Sequence, residues 1–472
     1  MTTRRTLDLL HRYESRNVTF LDPDGTWPIV WAKARGNHVW DAEGRRYLDL
    51  TAAFGVAAAG HANPRVVRAG RRQMGTLLHA MGDVHPHALK ARLAQELSEL
   101  TFGRWTRSTG RDPGSRVSDL GSQIPDARSQ VRTLGKTIFG TSGSEAVEMA
   151  MKTARLATGR PGVIAFTGGY HGLGYGALNA THREHFRGGF LDQLREFGRF
   201  VPFPRDEASA ERPPSLDRVE TEVRAAFRDA PIGAILVEPV QARGGIHIPP
   251  DGFLPLIRRL ADEHGALLIL DEVYTGFGRT GKWFACEHSG VVPDLICLGK
   301  ALTGGFPLSA CVGRADVMDS AWPVSSGEAI HTSTYLGHPV GCAMALAQIE
   351  ELKSRRLIER TAELGAAFAE ELRSTFDLPL PGLDVRTRCI GLMAAVELRR
   401  ADGAPATVEA ITAMKEMLRR GHILLPEGEH SDILSFTPPL TITTAQLRRA
   451  VRELHDVLRG AKRPRSRAVP KR

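Results

Sequence analysis

Short apolar runs alternate with longer amphipathic stretches through the middle of the chain. The runs KTIFG, GVIAF, GAILVEP, ALLILDE and DLICLGK lie between residues 136 and 300, with segments of helical spacing between them. Strands that alternate with helices form crossover units, which build a mainly parallel sheet with helices on its faces. This pattern predicts an α/β domain.

The two ends of the chain follow other patterns. Residues 28–50 alternate apolar and polar positions around a Gly-Asn and a Glu-Gly turn, which predicts short antiparallel strands. Residues 63–100 have helical periodicity. After Pro339 the order changes to two helices, short strands and a last amphipathic helix up to Gly460. We expect a smaller α+β unit there.

Two segments lack the spacing of a packed element. Residues 106–132 are rich in Ser, Arg, Gly and Asp and contain two prolines, so we expect a long exposed loop. The net charge of the chain is +9, and the segment 461–472 contains six basic residues and no acid, which leaves +3 for the rest. We predict a disordered basic tail at 461–472 and see little reason to expect nucleic-acid binding.

Composition excludes several classes of protein. With 472 residues, 42% of them hydrophobic and 24% charged, the chain resembles an ordinary soluble globular protein of two or three packed units. Five cysteines without a C-x-x-C pair argue against a disulfide framework or a zinc site and favour a reducing cytoplasm. We find no signal-peptide run and no 18-residue apolar stretch, and therefore expect neither export nor a membrane span.

The segment KTIFGTSGSEAVEMAMKTA predicts a strand, a turn of small residues and a helix. Gly143 and Ser144 stand where the helix opens. Backbone N–H groups and hydroxyls at the positive end of a helix dipole form an anion site, which a phosphate could occupy. Taken alone, the segment could also be an ordinary capped helix.

Two further apolar runs end in charged side chains, Asp271 and Lys300. Ligands of parallel sheets bind beyond the carboxyl ends of the strands. A buried carboxylate there needs a cationic partner, and a buried lysine has a lowered pKa that makes it a nucleophile towards an aldehyde. Taken separately, Asp271 could equally belong to a structural ion pair, and a lysine such as Lys300 is usually a solvated strand end.

Together the three elements indicate one cofactor. An anion site, a carboxylate and a lysine on one edge of one sheet are the groups that pyridoxal phosphate requires. Its phosphate needs N–H donors, its ring nitrogen stays protonated beside a carboxylate, and its aldehyde forms a Schiff base with a lysine. We therefore predict a pyridoxal phosphate site.

The motifs GTSGSEAVEMAMKTA, GGYHG, VEPVQARGG, LDEVYTGFGRTG, LGKALTGGFPLSA and HTSTYLGHPVGCAMAL occur in the order and spacing of the class III (ω-amino-acid type) pyridoxal-phosphate aminotransferases. The resemblance covers roughly residues 30–458, except for the loop at 106–132. It implies a fold type I homodimer with active sites at the subunit interface. The large domain, with a mainly parallel seven-stranded sheet, would span 61–338, and residues 1–60 and 339–460 would form the small domain.

The resemblance also implies roles for individual residues. Lys300 would form the Schiff base and shuttle protons, while Asp271 would pair with the ring nitrogen. The other expected cofactor contacts are Gly143 and Ser144 at the phosphate, Thr334 at the phosphate of the neighbouring subunit, Tyr170 stacked on the ring with His171 beside it, and Val273 on the other ring face. These types suit a flat aromatic ring and a dianion.

Several positions depart from the family pattern. Tyr274 replaces a glutamine that bonds the phenolic oxygen of the cofactor in many members, and its hydroxyl could serve instead. Arg243 and Ser435 replace a glutamate and the carboxylate-binding arginine that this glutamate masks. We hypothesise that Arg243 binds a substrate carboxylate, with a surface or interface ion pair as the alternative. Phe54 would narrow the substrate pocket or pack in the core.

The predicted activity is transfer of an amino group from an amino acid, ω-amino acid or amine to an oxo acid. A racemase or epimerase, a decarboxylating transaminase or a lyase would use the same site, and sequence does not show which bond is broken. A non-enzymatic ligand-binding regulator would need a helix-turn-helix module, for which roughly 30 residues before the first strand are too few. We predict no metal site, because His85 and His87 have no third ligand nearby.

Overall fold

A computed structural model of the chain describes residues 1–22, 25–109, 134–205 and 214–460. Most of the loop predicted at 106–132, and all of the tail predicted at 461–472, lie outside these ranges. The first four residues of that predicted loop belong to a helix, Arg104–Thr109. The start of this helix is anchored by two buried rings, Phe102 before it and Trp105 within it. No helix in the described ranges is long and apolar enough to cross a membrane.

The secondary structure alternates as the sequence pattern predicts. The strands of the described ranges are β1 Trp31–Arg35, β2 His38–Asp41, β3 Arg46–Asp49, β4 Gly135–Gly140, β5 Gly162–Phe166, β6 Gly198–Val201, β7 Ile232–Val237, β8 Leu267–Asp271, β9 Leu295–Leu298, β10 Ser309–Arg314, β11 Leu383–Ile390, β12 Met393–Arg400, β13 His422–Ile423, β14 Leu425–Glu427 and β15 Ile433–Phe436.

The helices fill the connections between these strands. In the described ranges they are α1 Thr3–Tyr13, α2 Pro64–Thr76, α3 Ala88–Ser98, α4 Arg104–Thr109, α5 Gly143–Thr158, α6 Tyr175–Leu178, α7 Glu184–Arg187, α8 Leu216–Asp229, α9 Phe253–Glu263, α10 Ala315–Ala321, α11 Pro339–Ser354, α12 Leu357–Phe376, α13 Thr407–Arg419 and α14 Thr444–Gly460. A π-helical turn, Glu99–Gly103, joins α3 to α4.

The central sheet has seven strands in the order β4-β10-β9-β8-β7-β5-β6. Strand β10 runs antiparallel to both of its neighbours, and the other pairs are parallel. Every residue of β5, β7 and β9 is buried. Strands covered on both faces read as continuous apolar runs, which is why the sequence pattern identified them. The predicted mainly parallel seven-stranded sheet is confirmed.

Three of these strands direct their carboxyl ends to one edge of the sheet. Strand β8 ends at Asp271, β9 is followed by Gly299 and Lys300, and β4 leads into the start of α5 at Gly143. Ligands of open α/β sheets bind beyond this edge. The fold thus brings together the three elements that the sequence singled out.

Both ends of the chain contribute to the smaller sheets. One sheet has the order β1-β2-β3-β13, in which the predicted antiparallel strands of 28–50 are joined by a parallel strand from the C-terminal part. The other has the antiparallel order β11-β12-β15-β14, with Glu427 at the end of β14. The proposed limits of the domains, at 60/61 and 338/339, stay predictions.

Candidate active site

The turn between β4 and α5 opens onto a cavity. Ser142 Oγ accepts a hydrogen bond from the backbone N–H of Glu145 at 3.2 Å and caps the helix. Ser144 Oγ accepts one from Gly174 at 3.1 Å, so the Ser144 hydroxyl proton stays available to another acceptor. A Cβ on Gly143 would lie 2.9 Å from the side chain of Val273. The N-terminus of α5 therefore offers donors in a place where a larger residue than glycine would collide.

Asp271 and His171 form a buried side-chain pair. The two side chains are buried, and Asp271 Oδ2 lies 2.8 Å from His171 Nδ1. Burial lowers the pKa of His171, but the hydrogen bond and the charge of Asp271 outweigh burial, so that the net shift is upward. The other carboxylate oxygen accepts a hydrogen bond from Val273 N at 3.1 Å. Within the described ranges Asp271 thus contacts His171, and the expected pairing of Asp271 with the ring nitrogen of the cofactor stays a prediction.

Lys300 stands directly after β9 in a strained conformation, with φ of 29°. A non-glycine residue at positive φ costs free energy and is found where surrounding structure fixes it. Burial, the largest influence, lowers the pKa of the Lys300 amine, while the carboxylates of Asp271 and Glu238 act in the opposite direction. The amine is therefore more nucleophilic than that of an exposed lysine.

Tyr274 faces Lys300 with its ring and not with its hydroxyl. Lys300 Nζ lies 4.4 Å from the ring centroid. The hydroxyl lies 3.1 Å from Thr437 Oγ1, and Thr437 donates its own proton to Thr51 O at 3.1 Å. The Tyr274 hydroxyl therefore donates to Thr437. The contact expected between this hydroxyl and the cofactor stays a prediction.

Glu238 is a buried acid of the site that sequence reasoning missed. It follows β7, and its two carboxylate oxygens accept hydrogen bonds from Tyr170 N at 3.0 Å and Ala242 N at 3.1 Å. Burial raises its pKa to about 7. Glu238 thereby fixes the backbone of Tyr170, whose side chain lines the cavity. The signal that could have found it is the one that found Asp271, an acid directly after a buried strand.

Arg243 forms an ion pair inside the cavity wall. Its Nη1 lies 2.8 Å from Glu427 Oε2, and the Glu427 side chain is only 4% exposed, compared with 30% for Arg243. Ser435, at the position where the family has an arginine, is buried and donates a hydrogen bond to Leu425 O at 3.2 Å. No sequence signal linked Arg243 to Glu427, because they are 184 residues apart.

These side chains surround one cavity of about 380 Å³. Nine of the predicted site residues line it, and the structure thus brings them together: Gly143, Ser144, Tyr170, His171, Arg243, Asp271, Val273, Tyr274 and Lys300. Phe54 and Thr334 do not line it.

Phe54 lies in a turn next to Tyr274. Residues Ala52–Gly55 all have positive φ, and Phe54 at 62° is 49% exposed, which excludes the core-packing alternative for its side chain. A Cβ on Gly55 would lie 3.0 Å from the Tyr274 ring. Asp49 holds the turn, because its carboxylate accepts hydrogen bonds from Thr51 N and Ala53 N. Phe54 is thus fixed near the site while its ring stays free of core contacts.

Thr334 lies on an exposed segment outside the cavity. Its neighbour Tyr335 is also exposed, with 56% of its surface accessible. The contact expected from Thr334 to the phosphate in a neighbouring subunit therefore stays a prediction for this residue.

The cavity suits pyridoxal phosphate by the chemistry of its walls. The N–H groups at the start of α5 and the hydroxyl of Ser144 suit a dianionic phosphate. The same cavity is lined by a carboxylate, Asp271, and an amine, Lys300. Val273 packs against Gly143 and Gly299, where added Cβ atoms would lie 2.9 and 3.2 Å from its side chain. The donors, the acid and the nucleophile required by the cofactor are therefore all present.

Comparisons with known proteins agree with this site. A family model for class III aminotransferases matches residues 21–458. The chain is 35% identical over 428 residues to the 5-aminovalerate aminotransferase DavT of Pseudomonas aeruginosa, covering 90% of this chain and 92% of the relative. It is 34% identical over 436 residues to the putrescine aminotransferase of Pectobacterium atrosepticum, covering 91% and 82%.

The fold is also shared with solved structures. An amine transaminase from an uncultivated Pseudomonas species, solved with pyridoxal phosphate bound, superposes with a TM-score of 0.78 at 27% identity, covering 95% of this chain and 98% of the other. The family, the fold type, the cofactor and the aminotransferase activity predicted from the sequence are confirmed. The chain therefore belongs to the class III aminotransferases, pyridoxal phosphate enzymes of fold type I.

Proposed function

We propose that this aminotransferase transfers the amino group of a primary amine or ω-amino acid to an oxo acid, with Lys300 as its catalytic lysine. The observation that carries the proposal is the convergence of Lys300, the Asp271–His171 pair and the N-terminus of α5 on one cavity. A racemase, a decarboxylating transaminase or a lyase would use the same groups. The donor screen described below distinguishes transamination from these reactions.

Each of these residues would hold a different part of the cofactor. Gly143 and Ser144 would bind the phosphate, Asp271 would pair with the ring nitrogen, and Lys300 would bind the aldehyde carbon covalently. Tyr170 and Val273 would cover the two ring faces. When bound, pyridoxal phosphate supplies a carbonyl that takes up the amino group and a ring that withdraws electrons from the carbon losing a proton.

The chain's own residues would then move and hold protons. The Lys300 amine would be the base that takes a proton from the donor carbon. Burial lowers its pKa and so keeps a larger fraction unprotonated at neutral pH. His171 holds Asp271 in place with a hydrogen bond of 2.8 Å, which keeps the carboxylate directed at the cavity, where it would pair with the ring nitrogen.

The donor proposed is a primary amine at the end of a carbon chain. Relatives of this chain bear the names of 5-aminovalerate and putrescine aminotransferases, and both compounds end in such an amine. Arg243 is the cation of the cavity wall that would bind a carboxylate at the far end of such a donor, or of the oxo-acid acceptor.

We further propose a homodimer with shared active sites. The exposure of Thr334 and Tyr335 on the segment after residue 324 is the supporting observation, since the cofactor contact expected of Thr334 has to be made outside the cavity of its own chain. Sedimentation at several protein concentrations measures the association. A monomer with full activity would contradict it.

Covalent trapping tests the proposed role of Lys300. The holoenzyme is reduced with borohydride, digested and mapped by mass, and we expect the pyridoxyl label on Lys300. Lys300→Ala should lose both the label and transamination. Lys282→Ala, which changes an exposed lysine in the loop after β8, is the matched control and should keep both. A label at any other lysine would contradict the assignment.

A donor screen tests the reaction type. We expect terminal primary amines to convert the bound cofactor to its aminated form, seen by absorbance, with release of the corresponding carbonyl product. A racemase would return only the mirror-image amino acid, and a decarboxylating enzyme would release carbon dioxide. If either of these results is seen and no oxo product is formed, the proposed transamination is wrong.

A further inference from the structure

The ion pair of Arg243 and Glu427 is asymmetric in its access to solvent. Arg243 lines the cavity that contains Lys300, whereas its partner Glu427 does not, and the Glu427 side chain is 4% exposed compared with 30% for Arg243. Arg243 can therefore meet a molecule that enters the cavity, while Glu427 stays behind it. A substrate carboxylate that binds Arg243 has to compete with Glu427 for the same guanidinium.

The ionised form of Glu427 is stabilised by Arg243, whose charge and hydrogen bond act to lower the pKa of Glu427. Glu427 lies at the end of β14, and within the described ranges Arg243 is the residue that forms an ion pair with it. Two further cations, Lys300 and Arg183, act on Glu427 from a distance without an ion pair to it in those ranges. Arg183 Nη2 instead lies 3.4 Å from the backbone oxygen of Glu429.

The other groups around Glu427 do not replace this partner. Tyr170 and Tyr274 lie within its electrostatic reach and are neutral near pH 7, because burial raises the pKa of each above its ordinary value. Glu429, two residues further on, is exposed and carries the same charge as Glu427. A buried carboxylate without an adjacent cation is strongly unfavourable and takes a proton instead.

We propose that binding of a substrate carboxylate to Arg243 is coupled to uptake of one proton by Glu427. This inference rests on the proposed role of Arg243 in binding substrate. The guanidinium exchanges one carboxylate for another, and a proton from solvent neutralises the carboxylate that is left in the wall. The net charge of the occupied site thereby stays the same as that of the empty site.

The pH range of the effect follows from the state of Glu427 in the empty site. Burial raises the pKa of Glu427 to about 7, although Arg243 acts to lower it. Loss of the Arg243 contact raises this pKa further. Near pH 6 Glu427 is mostly protonated before and after binding, so uptake is small. Near pH 8 it is mostly ionised before binding and protonated afterwards, so uptake approaches one proton.

Calorimetry on the holoenzyme tests the coupling without turnover. Pentanoate and pentanamide, which have the same shape but differ in charge and contain no reactive amine, are titrated in two buffers of different ionisation enthalpy near pH 6 and pH 8. For pentanoate we expect nearly one proton taken up near pH 8, little near pH 6, and an affinity that falls by up to about tenfold per pH unit above pH 7. For pentanamide we expect no uptake.

Matched variants identify the group that takes the proton. Glu427→Gln should bind pentanoate without proton uptake and with a flat pH dependence. Glu429→Gln, which changes an exposed acid two residues away, should retain the uptake. Arg243→Met should lose the preference for pentanoate over pentanamide. Cofactor absorbance and melting temperature check that each variant is folded, and the wild-type measurement stands even if Glu427→Gln is not.

The outcomes separate this inference from the proposed function. Pentanoate binding without proton uptake near pH 8, or uptake that persists in folded Glu427→Gln, overturns the coupling while transamination at Lys300 stands. Absence of pentanoate binding overturns both the coupling and the role of Arg243. Failure of borohydride to label Lys300 overturns the proposed function and leaves the measured proton count unaffected.

Discussion

Lys300 Nζ lies 4.4 Å from the centroid of the Tyr274 ring, and the hydroxyl of that ring is held by Thr437. A cation over an aromatic face is stabilised by the ring quadrupole. The ring therefore favours the charged form of the amine and opposes the effect of burial, which lowers the pKa of Lys300. The same ring lies against the Ala52–Gly55 turn, because a Cβ on Gly55 would be 3.0 Å from it.

Removing the Tyr274 ring should lower the pKa of Lys300. A cation–π contact of about 0.5–2 kcal/mol corresponds to roughly 0.4–1.5 pKa units. We expect Tyr274→Leu to shift the pH dependence of apoenzyme recombination with pyridoxal phosphate to lower pH, because that reaction needs the free amine. Tyr274→Phe keeps the ring and should shift it less. Equal shifts in both variants would assign the effect to the hydroxyl.

Arg243→Ala should separate acidic from neutral substrates. A charged hydrogen-bond pair is worth about 1.5–3 kcal/mol, which corresponds to roughly 10- to 100-fold in kcat/KM. We expect that loss for donors or acceptors with a carboxylate at the far end, and a smaller loss for neutral amines. Steady-state kinetics on an amine and on the ω-amino acid of the same length measure the ratio. An unchanged ratio would leave Arg243 a structural ion pair with Glu427.

Phe54→Ala should widen the entrance to the site. The ring is 49% exposed, so its removal should cost less than about 1 kcal/mol of stability. We expect kcat/KM for bulky amines to rise relative to that for short linear amines. Leu173→Ala, which removes another exposed apolar side chain near the cavity, serves as a comparison. If Phe54→Ala changes kcat/KM for bulky and for short linear amines by the same factor, Phe54 does not set the width of the pocket.

Stability should fall as pH rises from about 5 to 8. Burial raises the pKa values of Glu238, Glu272 and Glu427 to about 7 each, from an ordinary value of 4.5. Between these pKa values the folded state binds more protons than the unfolded state, so stability decreases with pH. At about 1.4 kcal/mol per pKa unit, each group contributes up to roughly 3–4 kcal/mol to this loss of stability.

Urea unfolding at several pH values measures this slope. Glu272 is fully buried and lies outside the cavity wall, so Glu272→Gln should reduce the slope without altering the groups that bind substrate. A stability that is flat or rises over this range would contradict the assignment of these carboxyls as protonated at low pH.

Sequence predicted the parts of the site that follow from local pattern. Asp271 and Lys300 were found because each is a charge at the end of an apolar run, and a buried parallel strand produces such a run. Resemblance supplied the roles of Tyr170, His171 and Val273, and the structure places all three on the cavity.

Sequence did not predict the contacts that join distant segments. Glu427 pairs with Arg243 across 184 residues, and Tyr274 is held by Thr437 across 163 residues. No periodicity relates such positions. The direction of the Tyr274 hydroxyl depends on side-chain packing against Gly55, which pattern does not contain. The two-residue strand β13 is likewise too short to have a periodicity of its own.

The pairing of β3 with β13 has a consequence for the order of events on the ribosome. The residues paired are Leu48 with His422 and Asp49 with Ile423, so β3 has no partner until about 374 further residues have been synthesised. At about 5–20 residues per second, this wait lasts roughly tens of seconds. The central sheet can form in that interval. The turn after Asp49, which contains Phe54, therefore reaches its final conformation after the central sheet has had time to form.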